Sequence, residues 1–132
     1  MKKFIAPISL SLLRKTKDDK KVSINLNTYR NLHHMIEWQC KRAFTDYMSD
    51  QLNWIVFENK IKVTYTVFYQ RWWRHDKWNV ISIIQKYFLD CLSYYWCIPD
   101  DNDQFIWDEI QRYGGVDKKN PRCEIVVEYT DT

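Results

Sequence analysis

Residues 61–96 read IKVTYTVFYQRWWRHDKWNVISIIQKYFLDCLSYYW, and the change of rhythm inside this stretch decides the fold. In its first part Ile61, Val63, Tyr65, Val67 and Tyr69 alternate with Lys62, Thr64, Thr66, Phe68 and Gln70. A period of two places one set on a buried face and the other mostly outward, which predicts a half-buried strand. From about residue 79 to 96 the period lengthens: Val80, Ile84, Phe88, Cys91, Leu92 and Tyr95 recur at helical spacing. The spacing therefore predicts a second helix, ended at Ile98-Pro99 because the residue before proline avoids helical angles.

Upstream, residues 29–52 carry Leu32, Met35, Ile36, Cys40, Ala43, Phe44, Tyr47, Met48 and Leu52 at spacings of mostly three and four. With Asn27-Thr28 as caps, this predicts a long first helix. Residues 3–13 have strand character weakened by Pro7, 14–21 form a charged tip, and 22–26 alternate, which together predict an N-terminal hairpin. Downstream, Asp100, Asp101, Asn102 and Asp103 form an acidic turn. Residues 104–112 fit either a strand or a short helix, Gly114-Gly115 reads as a turn, and 123–129 alternate again as a closing strand. The expected class is α+β: one small domain in which the hairpin and further strands build a mixed sheet packed by two main helices.

The totals bound the function. A chain of 132 residues suits one domain, and its net charge of +3 is too small to argue nucleic-acid binding except from local clusters. With two glycines, adjacent to each other, the chain has no phosphate-cradling loop and no dinucleotide site. Cys40, Cys91, Cys97 and Cys123 lack zinc-like spacing and read as reduced thiols of a cytosolic protein. His33-His34 and Glu37 lack a suitable third ligand. The opening MKKFIAPIS is too short and polar for a signal peptide, and no run approaches the roughly 20 apolar residues of a membrane span, so the protein is expected to stay where it is made.

The chemistry concentrates around the second helix. At about 100° per residue, Asn79, Lys86 and Asp90 fall within about 20° of one line, with Ile83 nearby at about 40°. Asp76 precedes the helix, and Asp100-Asp101 follow it. Each feature alone has an ordinary reading: a solvated stripe, a helix cap, a turn. Together they offer carboxylates and a lysine in the combination that phosphodiester hydrolysis uses. Clustered carboxylates repel each other and phosphate unless a cation lies between them, and oxygen ligands select Mg²⁺ or Mn²⁺. Such an ion polarises phosphate and activates water, while a lysine offsets developing charge. Arg71, Trp72, Trp73, Arg74 and His75 stand just before Asp76; they either hold phosphate and stack on bases or pack their tryptophans into a core or interface. The hairpin tip, with Arg14, Lys15, Lys17, Lys20 and Lys21, is either a solvated tip or an arm that grips DNA.

The runs Asp76-Lys77-Trp78-Asn79, Lys86-Tyr87-Phe88-Leu89-Asp90-Cys91-Leu92 and Ile98-Pro99-Asp100-Asp101 resemble the RusA family of Holliday-junction resolvases, in forms carried by bacteriophages. That family has an Asp-x-Asp-Asn motif, a helix with Lys-x-x-x-Asp-Ala-Leu, and an Asp-Asp turn. Leu26–Asn31 and Asn120–Ile125 resemble its opening and its last strand, so the likeness covers most of the chain and is most specific over 76–101. The resemblance implies a homodimeric, Mg²⁺-dependent endonuclease that binds four-way junctions and cuts symmetric strands in DNA recombination, repair or phage DNA processing, in the cytoplasm of a bacterial or phage-infected cell. By position it implies Asp76, Lys86, Asp90 and Asp101 as catalytic residues, Asp76, Asp100 and Asp101 as metal ligands, and Arg71, Trp73, Arg74 and Asn79 as DNA contacts. Two departures stand out. Trp78 occupies the place of the motif's second Asp, and tryptophan cannot ligate Mg²⁺. The spacing from Asn79 to Lys86 is about one helical turn longer, which preserves the face.

Overall fold

The computed structural model describes residues 1–12, 20–23, 34–70, 78–98 and 105–130. Strand β1 spans Lys2–Ala6, β2 Ser9–Leu12 and β3 Lys20–Ser23. Helix α1 spans His34–Leu52 and is followed by strand β4, Ile61–Tyr69. Helix α2 spans Trp78–Tyr94, and strands β5, Ile106–Val116, and β6, Arg122–Tyr129, complete the order. Four strands form a mixed sheet in the order β1-β6-β4-β5, and β2 and β3 form a separate two-stranded sheet. The class is α+β, as the sequence indicates.

Strand β4 is the interior strand on which the rest is built. It pairs antiparallel with β6, Tyr65 opposite Ile125, and parallel with β5, Tyr65 opposite Gln111. Its alternation is realised in full: Ile61, Val63, Tyr65 and Val67 are buried, and the intervening residues are half-buried on the outer face. Parallel neighbours need a crossover, and α2 supplies it. Its buried face, Ile81, Ile83, Ile84, Tyr87, Phe88, Cys91 and Leu92, joins Cys40, Phe44, Met48 and Leu52 of α1 and the inner faces of β1, β4 and β6 in one core. Phe88 packs edge-on against Tyr65 with ring centroids 6.2 Å apart. Among the described residues, no helix is long and apolar enough to cross a membrane.

Several local expectations are corrected. The N-terminal hairpin exists, but as β2 and β3, Ser9 opposite Ser23 through Leu12 opposite Lys20. The segment before Pro7 leaves it and joins the main sheet as β1, beside β6. Proline lacks the N–H that a continuous ladder needs, so one run becomes two strands. Residues 106–116 are strand, and Gly114-Gly115 lies inside β5 rather than in a turn. The register slips there, from Tyr113 opposite Val67 to Gly115 opposite Phe68. A Cβ on Gly114 would stand 2.6 Å from the Phe68 ring, and Gly115 has φ +121°. The glycine pair therefore marks a bulge under an aromatic ring, and Arg122 covers that ring from 4.3 Å.

Helix α2 ends before Pro99, by a different device. Cys97 N–H donates to the Leu92 carbonyl at 2.8 Å and Trp96 N–H to the Ser93 carbonyl at 3.2 Å, with Trp96 at φ 60°. This is a Schellman ending whose left-handed position holds tryptophan where glycine is favoured. Trp54, just beyond α1, has φ 71°. Their side chains are 91% (Trp54) and 79% (Trp96) exposed, so packing does not repay the left-handed backbone. Trp96→Gly is expected to leave the melting temperature unchanged or raise it, by up to about 1 kcal/mol of added stability. A clear fall in a thermal melt would show that the indole contributes packing.

Candidate active site

Alternation along β5 sets up the site. After a register slip between Ile61 and Lys62 of β4, Glu109 pairs with Val63, Gln111 with Tyr65 and Tyr113 with Val67. Val63, Tyr65 and Val67 face the core, so Glu109, Gln111 and Tyr113 lie on the same inner face as α2. A strand face turned toward a helix is normally apolar. Here it is polar, and Gln111 Nε2 donates to Gln85 Oε1 of α2 at 2.7 Å, bridging strand and helix. Asp108, Ile110 and Arg112 take the outer face with Lys62, Thr64 and Thr66.

Helix α2 answers with its own polar side. Ser82, Gln85, Lys86, Leu89 and Asp90 line a cleft of about 500 Å³. Lys86 and Asp90, which helical spacing puts on one face, thus share one cleft. Ile83 is buried and bounds the polar stripe on its other side. The Asp90 carboxylate leans toward α1, where it meets Lys41 Nζ at 3.0 Å. Both side chains are partly exposed, and such a pair contributes on the order of 0–1 kcal/mol.

Below the polar row of β5 lies Tyr65, fully buried, its hydroxyl without a hydrogen-bond partner among the described residues. Burial pushes its ionisation well above the usual tyrosine value, and the negative charge of Glu109 adds to the effect. The hydroxyl therefore stays protonated and stands close enough to Glu109 to feel its charge. One Glu109 carboxylate oxygen is itself shielded from solvent.

The residues singled out from sequence are distributed as follows. Lys86 and Asp90 line the cleft. Asn79 lies in the first turn of α2, its side chain outside what is described. Asp76, Asp100, Asp101, Arg71, Trp73 and Arg74 lie outside the described residues. Among the described residues, no group of three His, Cys, Asp or Glu side chains is gathered as a metal cage would need. The crossover adds a constraint: Asp76 precedes the start of α2 and Asp100 follows its end, and 17 residues of helix span about 25 Å.

Glu109 and Gln111 escape the sequence reading because 104–112 shows no clean period. The signal is there in another form: Asp108, Glu109, Gln111 and Arg112 put polar groups on both faces of a strand adjoining the most apolar strand of the sheet. The four cysteines are buried and not joined by disulfides, and burial pushes the Cys91 and Cys97 thiols up to about 11 and the Cys123 thiol to about 12. All four belong to the core, and the raised thiols of Cys91, Cys97 and Cys123 make them poor nucleophiles. No known family model matches the chain, and no curated protein is detectably similar to it.

Two outcomes follow from this geometry. Iodoacetamide at pH 7.5 is expected to leave Cys91, Cys97 and Cys123 unmodified in the folded protein; rapid labelling detected by mass spectrometry would contradict their burial. Tyr65→Phe is expected to keep or raise stability, because it removes a buried donor without a described partner. A loss above about 1 kcal/mol in urea unfolding would mean that the hydroxyl is already satisfied.

Proposed function

We propose that the chain is a metal-dependent endonuclease of the RusA kind, acting on four-way or related branched DNA as a homodimer in the cytoplasm of a bacterial or phage-infected cell. The observation that carries the reading is the cleft on α2. The Lys and the Asp of the family-like helix motif line one open, solvent-facing cleft on α2. The motif resemblance over residues 76–101 supplies the rest of the case.

In this reading Asp76, Asp100 and Asp101 would hold Mg²⁺, or Mn²⁺ in its place, which requires the segments flanking α2 to close the roughly 25 Å that its 17 residues span. The ion supplies Lewis acidity toward a phosphate oxygen and a lowered pKa for attacking water. The chain's own residues do the remaining work. Lys86, carried on a rigid helix, presents a fixed positive charge to the phosphate as negative charge builds up. Asp90, paired with Lys41 on α1, would stand on the same face of α2 as Lys86 to help order that charge. Asn79, Arg71, Trp73 and Arg74 position the DNA backbone and unpaired bases. Two symmetric incisions need two sites, which is the physical reason for a dimer.

Asp101→Asn is expected to abolish Mg²⁺-dependent cutting of a synthetic four-way junction while leaving junction binding intact or tighter. Lys86→Ala should lower the cleavage rate about 10²–10³-fold, as loss of one preorganised electrostatic partner does. Unchanged cutting by Asp101→Asn would refute the assignment. Trp78 favours a second reading, a branched-DNA-binding protein that has lost most or all turnover. If that is the case, the natural chain binds junctions without cutting them, and Trp78→Asp restores incision.

A further inference from the structure

We propose that two copies of this chain join edge to edge through β5, antiparallel about a two-fold axis at Ile110; the inference deepens the homodimer of the reading above and rests on it. In the described sheet β5 is an outer strand, 11 residues long, with β4 on one side. Backbone direction sets what the other side offers. Ile61 N–H donates to the Phe105 carbonyl at 2.8 Å, so Ile61, Val63, Tyr65 and Val67 turn their backbone groups toward β5. Val63 pairs with Glu109 and Tyr65 with Gln111, and in a parallel ladder such bonds fall on the residues flanking the partner: Asp108, Ile110 and Arg112. Glu109 and Gln111 therefore aim their backbone groups off the edge. The Glu109 N–H is capped there by its neighbour, Asp108 Oδ1, at 2.9 Å.

Charge complementarity selects the occupant. A strand edge is a template for another strand unless it is short or carries lysines. The opposite edge, β1, is both: five residues, with Lys2 and Lys3 exposed. On β5, exposed Asp108 and exposed Arg112 stand two residues to either side of Ile110 on the outer face. Reversing the strand about Ile110 sets Asp108 opposite the partner's Arg112, Arg112 opposite the partner's Asp108, and Ile110 opposite its own copy. Because these residues send their backbone groups inward, they form the close type of antiparallel pair, with Cα atoms about 4.5 Å apart. Opposite charges there attract and like charges repel. Glu109 and Gln111 supply the ladder, and the partner's Gln111 carbonyl takes the Glu109 N–H from Asp108, releasing that carboxylate to the partner's Arg112. A register centred on Gln111 would set Arg112 against the partner's Ile110, and one centred on Glu109 would set Asp108 against it, so the charges choose the pairing about Ile110. An axis of this kind is normal to the sheet, so both α2 helices lie on one face of the joined sheet. Both clefts then serve one side, as two symmetric cuts in one junction require.

The test is the oligomeric state of the full chain by analytical ultracentrifugation, without DNA and without an activity assay. Arg112→Asp sets acid against acid twice in each dimer, and Asp108→Arg sets base against base; each is expected to weaken the dimer about tenfold or more. The double variant Asp108→Arg, Arg112→Asp exchanges the charges and should restore it. Ile110→Cys gives a second measurement that does not depend on the charge variants folding. It places two thiols across the axis at a Cα separation of about 4.5 Å, within the range a disulfide spans, so mild oxidation should give a covalent dimer that reductant reverses. Thr64→Cys, on the same outer face but on interior strand β4, should stay monomeric on the same gel. A dimer as tight in both single charge variants as in the natural chain overturns the β5 interface and leaves the homodimer standing. So does the absence of a covalent dimer with Ile110→Cys. A natural chain that sediments as a monomer at its highest soluble concentration overturns both.

Discussion

The placement of β4 between β5 and β6, with α2 across its inner face, is the constraint from which the rest follows. An interior strand has both backbone edges satisfied by its neighbours, so its stability depends on what covers its side chains. Val63, Tyr65 and Val67 are fully buried, and Phe88 of α2 and Ile125 of β6 are buried with them. Parallel pairing of β4 with β5 makes α2 an obligatory crossover: the helix has to run from the end of β4 back to the start of β5. Burying one face of α2 on β4 then leaves its opposite side, with Ser82, Lys86 and Asp90, facing outward as a cleft wall.

The same constraint explains why polar residues are tolerated on β5. It is an edge strand of the described sheet, so only one of its sides is committed to pairing, and the helix covers it incompletely. Glu109 and Gln111 therefore occupy a margin between core and water. Elsewhere, ionic contacts stay on the outer face of the sheet and are structural. Arg122 bonds Asp117 at 2.8 Å and Glu124 at 3.0 Å, and Lys3 reaches Glu124 at 2.9 Å. The contact with Lys3 first, and Arg122 next, holds the Glu124 carboxyl below its ordinary value of 4.5. Its folded-state ionisation is depressed, so its contribution to stability is present above that value and fades as pH falls through the folded one.

Much of the fold is legible in the sequence because strong periods survive tertiary packing. The β4 alternation and the α2 stripe were readable since each buries a full face against a neighbour. The reading faltered where one residue type has two uses. Gly114-Gly115 resembles a turn, yet the pair admits a bulge beneath Phe68; only the register shows the difference. Pro99 resembles a helix stop, yet the helix had already turned at Trp96, a residue type disfavoured there. In the candidate site, the grouping of Lys86 with Asp90 follows from helical geometry alone. The bond of Gln111 to Gln85 and the approach of Glu109 to Tyr65 do not, because they depend on which face of β5 turns inward, and that is set by a slip of one residue against β4.

We propose the α2 cleft as the place where a phosphodiester is cut. Its most direct measurement is incision by the natural chain with Mg²⁺ on three DNAs of matched sequence: a four-way junction, a flap and a linear duplex. Paired, symmetric cuts in the junction, few or none in the linear duplex, and none without the metal are the expected result. Equal cutting of all three DNAs, or tight junction binding with no incision at any Mg²⁺ or Mn²⁺ concentration, would contradict it.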